Sequence, residues 1–259
     1  MNYLAKKRFG QHFLQDDYLI HSIIKLIDPS PSETLVEIGP GRGALTKPLC
    51  QLVEHLHVIE LDRDLIHFLQ QTSYSQQLII HHQNVLTFEF QTLPAPYKIV
   101  GNLPYNISTP LLFYLLQYEK FIHSTYFMLQ KEVALRLTAK PGTSQFSKLS
   151  VLLQYHFDIE ILLNVPADAF VPKPKVESAV IRMIPRPPPL KAKNWQQFSR
   201  LITHAFQMKR KTIFNNLRSL VSKEELLNLD IDPQQRPETI SIEKYVRLSN
   251  SLSNRNKTS

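Results

Sequence analysis

The stretch Leu35-Val36-Glu37-Ile38-Gly39-Pro40-Gly41-Arg42-Gly43-Ala44-Leu45-Thr46 constrains the fold more than any other part of the chain. An apolar run of strand length enters a turn with three glycines and leaves it in helical spacing. Such a turn brings backbone N–H groups close to a ligand and aims a helix start at it. A second apolar run, Leu56-His57-Val58-Ile59, ends in Glu60, 21 positions after Gly39. A carboxylate at the end of the second strand of a nucleotide-binding α/β sheet is placed to accept hydrogen bonds from ribose hydroxyls. The glycine spacing is G-x-G-x-G, which misses the G-x-G-x-x-G of dinucleotide enzymes, and no second nucleotide-binding half follows. A cofactor of mononucleoside size fits better.

Further short runs rich in β-branched and aromatic residues occur at Leu78–His81, Tyr97–Val100, Thr125–Leu129, Tyr155–Ile159 and Ala179–Ile184. Helix-like stretches separate the earlier runs, so the expected fold is α/β with a largely parallel, doubly wound sheet. The last two runs lack an intervening helix and predict an antiparallel hairpin at the sheet edge. Ligands in such sheets sit at the carboxyl ends of the strands, where Gly39, Glu60, Asn84 and Asn102 all fall. Pro185-Arg186-Pro187-Pro188-Pro189 is too proline-rich to continue a strand or enter a helix. It divides residues 1–185 from a small all-helical domain, 186–259, with helices expected at Trp195–Met208, Thr212–Leu220, Ser222–Leu229 and Ile242–Leu252 and a frayed polar tail from Asn250.

Charge follows the same division. Residues 186–259 carry 14 Lys/Arg against 6 Asp/Glu, whereas the preceding 185 residues balance at 16 of each, so the whole net charge of +8 lies on the helical part. That excess suits a nucleic-acid backbone, where affinity comes largely from counterion release. Lys209-Arg210-Lys211, with Arg218 two turns on, is the sharpest cluster. Lys6-Lys7-Arg8 is either a second phosphate contact or a soluble start.

The run Gly101-Asn102-Leu103-Pro104-Tyr105-Asn106 carries the chemistry. The exocyclic amine of adenine is a poor nucleophile because its lone pair is delocalised into the ring. Two acceptors that grip its hydrogens favour the pyramidal form as charge develops. The Asn102 side-chain oxygen supplies one acceptor. The Leu103 carbonyl, held extended by Pro104, supplies the other, and Tyr105 offers a ring on which a base can stack. A plain strand-to-helix turn, with Ser108-Thr109-Pro110 opening the next helix, accounts for the same residues structurally. The glycine turn and Glu60 favour the reading in which a nucleobase amine is methylated.

Together these motifs resemble those of the ribosomal RNA adenine N6-dimethyltransferases, from about Lys6 to about Tyr245. Lys7-Arg8-Phe9-Gly10-Gln11-His12-Phe13-Leu14 is similar to the family's N-terminal motif, whose His12 and Leu14 positions meet S-adenosylmethionine (SAM). Val36 to Gly41 is similar to its cofactor loop, Val58 to Asp62 to its ribose-binding strand end, and Asn102 to Ser108 to its catalytic motif. Phe127 to Val133 and Val165 to Pro174 match two more blocks. The resemblance implies a Rossmann-like methyltransferase sheet. It assigns cofactor contacts to His12, Leu14, Gly39, Gly41, Glu60, Asn84 and Asn102, catalysis to Asn102, Leu103, Pro104 and Tyr105, and RNA binding to the basic C-terminal domain. It also implies that Phe170 clamps the target base opposite Tyr105, from a loop stiffened by Pro166 and Pro172, while the residue-level alternative is a Phe that plugs the core. The family usually carries Asp at position 84. An amide oxygen accepts the same hydrogen bond without charge assistance, which predicts weaker cofactor binding.

The implied substrate is a pair of adjacent adenosines near the 3′ end of 16S rRNA in the assembling small subunit, modified by a cytoplasmic monomer. Two other readings share these residues: an Erm-type methyltransferase of 23S rRNA, and a non-catalytic rRNA-binding assembly factor, which only Asn84 favours. A single cysteine, Cys50, forbids an internal disulfide, and its neighbours Leu49 and Leu52 suggest burial. No apolar run is long enough to span a membrane. No metal is expected: His81 and His82 are adjacent on a strand and point to opposite faces, while His55 and His57 lack a third ligand.

Overall fold

The computed structural model describes residues 11–255, and side chains as far as Ser253, so the Lys6-Lys7-Arg8 run and the start of the N-terminal motif lie outside the described residues. The strands are β1 (Phe13–Leu14), β2 (Thr34–Ile38), β3 (Leu56–Glu60), β4 (Leu78–His82), β5 (Tyr97–Asn102), β6 (Ile122–Gln130), β7 (Phe157–Val165), β8 (Phe170–Val171) and β9 (Ser178–Pro185). The helices are α1 (Asp17–Ile27), α2 (Thr46–Cys50), α3 (Arg63–Gln70), α4 (Ser108–Leu115), α5 (Lys131–Leu137), α6 (Lys148–His156), α7 (Trp195–Ala205), α8 (Ile213–Leu217), α9 (Lys223–Leu227) and α10 (Ile242–Arg255).

The chain divides into two compact units. Unit 1 comprises residues up to Ala134 together with Asp158–Pro185, and unit 2 comprises Leu135–Phe157 together with everything from Arg186 onward. The division expected at residue 185 places Leu135–Phe157 in the first domain, and the structure corrects it. The polar anchors of this segment give the reason: Gln154 donates to the Leu137 and Ala139 carbonyls, Arg186 donates to the Gln154 carbonyl, and the Tyr155 ring stacks on Trp195 at 5.6 Å.

Unit 1 is built on a seven-stranded sheet in the order β4-β3-β2-β5-β6-β9-β7. The pairs β2–β3, β3–β4, β2–β5 and β5–β6 are parallel, and β9 runs antiparallel to β6. The inner parallel strands β2, β3 and β5 read as near-continuous apolar runs because both faces are covered, whereas β4, at the edge, is partly exposed. Val36, Val58, Ile99 and Val100 have almost no exposed surface. Helix α1 starts where Asp16 accepts a hydrogen bond from the Leu19 N–H and buries Leu19, Ile23 and Ile27, one apolar residue per turn. One expectation needs correction. The run assigned to a strand from Tyr155 stays helical through His156, and the strand extends from Phe157 to Val165. The last two strands lie side by side at the sheet edge as expected, with β9 against β6 and β7 outermost.

Unit 2 is helical. Helix α7 buries Phe198, Leu201, Ile202 and Ala205, an i, i+3, i+4, i+7 stripe. Helix α10 runs to Arg255 rather than fraying at Asn250. Asn250 is the reason: its side chain accepts from the Lys193 N–H and donates to the Lys191 carbonyl, and Ser253 donates to Gln197 one turn later. Helices α8 and α9 are shorter than their apolar patterns suggested. Lys209, Arg210 and Lys211 sit exposed on the turn between α7 and α8, with Arg218 exposed just after α8.

Candidate active site

Four strand ends converge on one cleft of unit 1. Its volume is about 240 Å³, and its walls include Gly39 and Gly41 after β2, Glu60 at the end of β3, Asn84 after β4, and Asn102 at the end of β5 with Leu103 to Asn106 beyond it, together with His12 and Leu14 from the β1 segment. Every residue expected to contact the cofactor therefore lines the same space. Leu61, Leu65, Val85 and Leu86 give it an apolar side.

The glycine turn needs its glycines. Gly39, Gly41 and Gly43 have φ of +66°, +58° and +84°, the left-handed region that L side chains rarely adopt. No atom lies within 4 Å of where a Cβ on Gly39 would stand, whereas one on Gly43 would meet the Tyr74 hydroxyl at 2.4 Å. Of these two positions, Gly39 is the one where the backbone can be approached closely from the cleft.

Two carboxyl groups border the cleft. The Glu60 Oε1 accepts from the N–H groups of Leu61 and Asp62, both at 2.8 Å, which fixes the side chain at the strand end. Burial raises its proton affinity above the usual carboxylate range. The N–H donors of Asp62, Leu61 and Gly41 counter that effect, and the charge of Asp62 adds to it. Glu37, in β2, is only 2% exposed, and burial pushes its carboxyl up to about 8, with the Thr46 hydroxyl lowering it and Glu60 raising it further. The Glu37 Oε2 and the Thr46 Oγ1 are both buried without forming a well-aligned hydrogen bond. Cys50, at the end of α2, is buried, and its thiol is pushed up to about 12 by burial and then by Glu37, so it is chemically inert.

The tetrad occupies the end of β5 and the turn into α4. Asn102 donates its Nδ2 hydrogen to the His12 carbonyl at 2.9 Å, so the orientation of the amide is fixed and its oxygen is the remaining acceptor. The Leu103 side chain is buried, and its N–H donates to the Met128 carbonyl of β6 at 3.0 Å, which ties the turn to the neighbouring strand. Tyr105 is half-buried, with its hydroxyl 2.8 Å from the Ser178 Oγ and its ring stacked on the His12 ring at 5.5 Å. The His12 Nδ1 bonds the Pro172 carbonyl at 2.6 Å, and because a carbonyl only accepts, Nδ1 carries the proton.

Phe170 departs from expectation. It is 2% exposed, packs in the core cluster with Leu14, Val165 and Val180, and does not line the cleft. Adjacent residues of a strand face opposite ways. With Leu14 paired to Phe170 and Phe13 to Val171, the aromatic ring points inward and Val171 points outward at 53% exposure. The prolines stiffen this segment, but strand pairing decides its facing, and Phe170 acts as the core plug. Asn84 lies at the cleft, but its Oδ1 already accepts from the Leu86 N–H at 3.0 Å and caps a short helical turn, leaving one lone pair for any ligand. The strap formed by β1 and β8, which delivers the His12 carbonyl to Asn102, was not visible in the sequence because two-residue strands carry no periodicity. Likewise, nothing linked Ser178 to Tyr105, 73 positions away.

Elsewhere, His57 and His81 stack at 5.3 Å with Nδ1 and Nε2 3.0 Å apart, and burial lowers the proton affinity of both rings. Among the described residues no cluster of three or more His, Cys, Asp or Glu is arranged to hold a metal, and no helix is long and apolar enough to cross a membrane.

Residues 2–254 match the family described as Ribosomal RNA adenine dimethylase. A relative from Dechloromonas aromatica, Ribosomal RNA small subunit methyltransferase A, is 48% identical over 97% of this chain and 99% of its own length. The protein of the same name from Neisseria gonorrhoeae is 46% identical over 97% of each chain. Among solved structures, a dimethyladenosine transferase from Plasmodium falciparum superposes with a TM-score of 0.80 at 25% identity, covering 95% of this chain and 98% of that one. The 23S rRNA methyltransferase ErmE superposes with a TM-score of 0.73 at 24% identity, over 93% of this chain and 99% of its own, a likeness of fold.

Proposed function

Because the chain belongs to the ribosomal RNA adenine dimethylase family, we infer that it is a SAM-dependent enzyme that dimethylates N6 of two adjacent adenosines in the 3′-terminal hairpin of 16S rRNA. The observation that carries this reading is the anchored Asn102, whose amide nitrogen is held by the His12 carbonyl so that its oxygen remains as the acceptor. The near-full-length likeness to small-subunit methyltransferases at 46–48% identity favours 16S over 23S rRNA, since the resemblance to ErmE is one of fold.

The cleft suits a nucleoside cofactor. Glu60 is fixed by two N–H donors where ribose hydroxyls would meet it, and the apolar side of Leu61, Leu65, Val85 and Leu86 suits an adenine ring. Asn84 offers its remaining lone pair to the adenine amine. The bound cofactor supplies a methyl group on a cationic sulfur. The protein's part is positioning. Asn102 Oδ1 and the Leu103 carbonyl grip the two amine hydrogens, Tyr105 stacks on the base, and proximity supplies much of the acceleration. Solvent accepts the proton once the amine has been alkylated, and the cycle repeats on the same nitrogen. The basic turn of Lys209, Arg210 and Lys211, with Arg218, holds the RNA backbone, and the enzyme works as a monomer in the cytoplasm on the assembling 30S particle.

Labelled SAM with unmethylated small subunits is expected to place label on adenine N6. Label confined to naked 23S rRNA would overturn the substrate assignment, and particle binding without label would favour an assembly factor. Replacing Lys209, Arg210, Lys211 and Arg218 by Gln is expected to weaken rRNA binding and to flatten its dependence on salt by about 0.7–0.9 log units for each phosphate that is no longer neutralised. An unchanged slope in filter binding would show the cluster to be a solvated face.

A further inference from the structure

The cleft holds a group that gripping and stacking do not use. Glu37 is a carboxylic acid 2% exposed on β2, among the residues that line the cleft, with Oε2 buried and without a well-aligned hydrogen bond. Such a group is costly to ionise unless a positive charge is brought to it. The groups that face it from each packed element supply no countercharge: Glu60 from β3 worsens the problem, the Cys50 thiol from α2 and the Tyr74 phenol after α3 are neutral acids, and the Thr46 hydroxyl from α2 offsets only part of the cost of burial. None of these is a cation, and among the described residues Glu37 forms no ion pair. The cofactor proposed above differs from its spent product in one respect that such a site can sense. The methyl donor carries a sulfonium charge, whereas the product is a neutral thioether.

We propose that Glu37 reads the charge of the cofactor, holding a proton until a sulfonium enters the cleft and then releasing that proton to solvent, so that donor binding, unlike product binding, is coupled to ionisation. The step balances simply: the carboxylic O–H breaks, the electron pair stays on Glu37, and the proton passes to buffer. The consequence is specificity for charged over spent cofactor. The product loses the attraction of an anion, Glu37 takes its proton back, and the cleft is cleared for the second methylation. Burial that leaves the group protonated near neutral pH is consistent with this cycle.

The inference rests on SAM being the cofactor, and the test separates the two. Calorimetric titrations of SAM and of S-adenosylhomocysteine are made at pH 6.5, where both amino acid moieties carry the same charge, in phosphate and in imidazole. The difference in heat between the buffers counts the protons released. The expected result is close to one proton for SAM and close to none for the product, since a group at about 8 is almost fully protonated at that pH. The Glu37→Gln variant is expected to bind SAM without proton release. In the unaltered enzyme, SAM affinity should rise about tenfold per pH unit from pH 6 to 7, with product affinity flat. Equal release for both ligands, no release with SAM, or full release in the variant would each overturn the proposal, and the pH series decides if the variant does not fold. Absence of any SAM binding heat would instead overturn the cofactor assignment.

Discussion

Asn102→Ala is expected to lower methyl transfer by about 10²–10³-fold while SAM affinity stays within a few-fold. Removing one preorganised acceptor or donor aimed at developing charge costs about 2.7–4 kcal/mol of transition-state stabilisation. The geometry places the loss on turnover. The Asn102 amide is held through Nδ2 by the His12 carbonyl, so its oxygen is already oriented and no reorganisation is needed when the amine pyramidalises. Cofactor contacts, by contrast, are shared with Glu60, Asn84 and the glycine turn. Asn102→Asp is expected to fare little better, because a carboxylate cannot donate to the His12 carbonyl and would swing away from it. Single-turnover transfer alongside SAM titration checks both. Retention of a tenth or more of the rate in Asn102→Ala would remove the side chain from the chemistry.

Gly101→Ala should damage both stability and activity through a backbone clash that no side-chain rotation relieves. A Cβ at position 101 would stand 2.6 Å from the Ile38 carbonyl oxygen and 3.3 Å from the Leu103 Cδ2. Ile38 belongs to β2 and immediately precedes Gly39, while Gly101 belongs to β5 and immediately precedes Asn102. The extra methyl therefore wedges apart the two strands whose ends carry the cofactor turn and the tetrad. Overpacking of this kind costs about 1–3 kcal/mol, or some degrees in Tm for a domain of this size. A displacement of about 1 Å between reacting groups is expected to cost about 10²-fold in rate. Gly142→Ala is the control. Its φ of +93° makes it strained too, but no atom lies within 4 Å of the added methyl, and it belongs to unit 2, so stability should fall modestly with transfer unchanged. Equal behaviour of the two variants in thermal melts and transfer assays would refute the wedge argument.

The sequence already carried most of what these predictions use. The β2-to-α2 run declared its turn because three glycines close together at a strand-to-helix junction mark a backbone that has to enter the left-handed region, and all three adopt positive φ. Glu60 was legible from its place after a β-branched run, and Asn102 from its neighbours. Parallel strands are buried on both faces, so their apolar runs stand out from amphipathic helices. The β7 boundary was less legible, because Tyr155 and His156 suit helix and strand alike. They are helical because Gln154, Tyr155 and Arg186 tie that segment to the helices of unit 2.

The sequence by itself determined the kinds of element, the glycine turn, the carboxylate at the ribose end and the amide of the tetrad, because each depends on local backbone conformation or on residues a few positions apart. Tertiary structure alone decided which groups meet. It put the His12 carbonyl on the Asn102 amide across 90 positions and turned Phe170 into the core by pairing it with Leu14. It also buried Glu37 beside a second carboxyl group without a cation. These facts depend on strand pairing and on the exclusion of water, and both follow from the packing of distant segments rather than from the preference of any one of them.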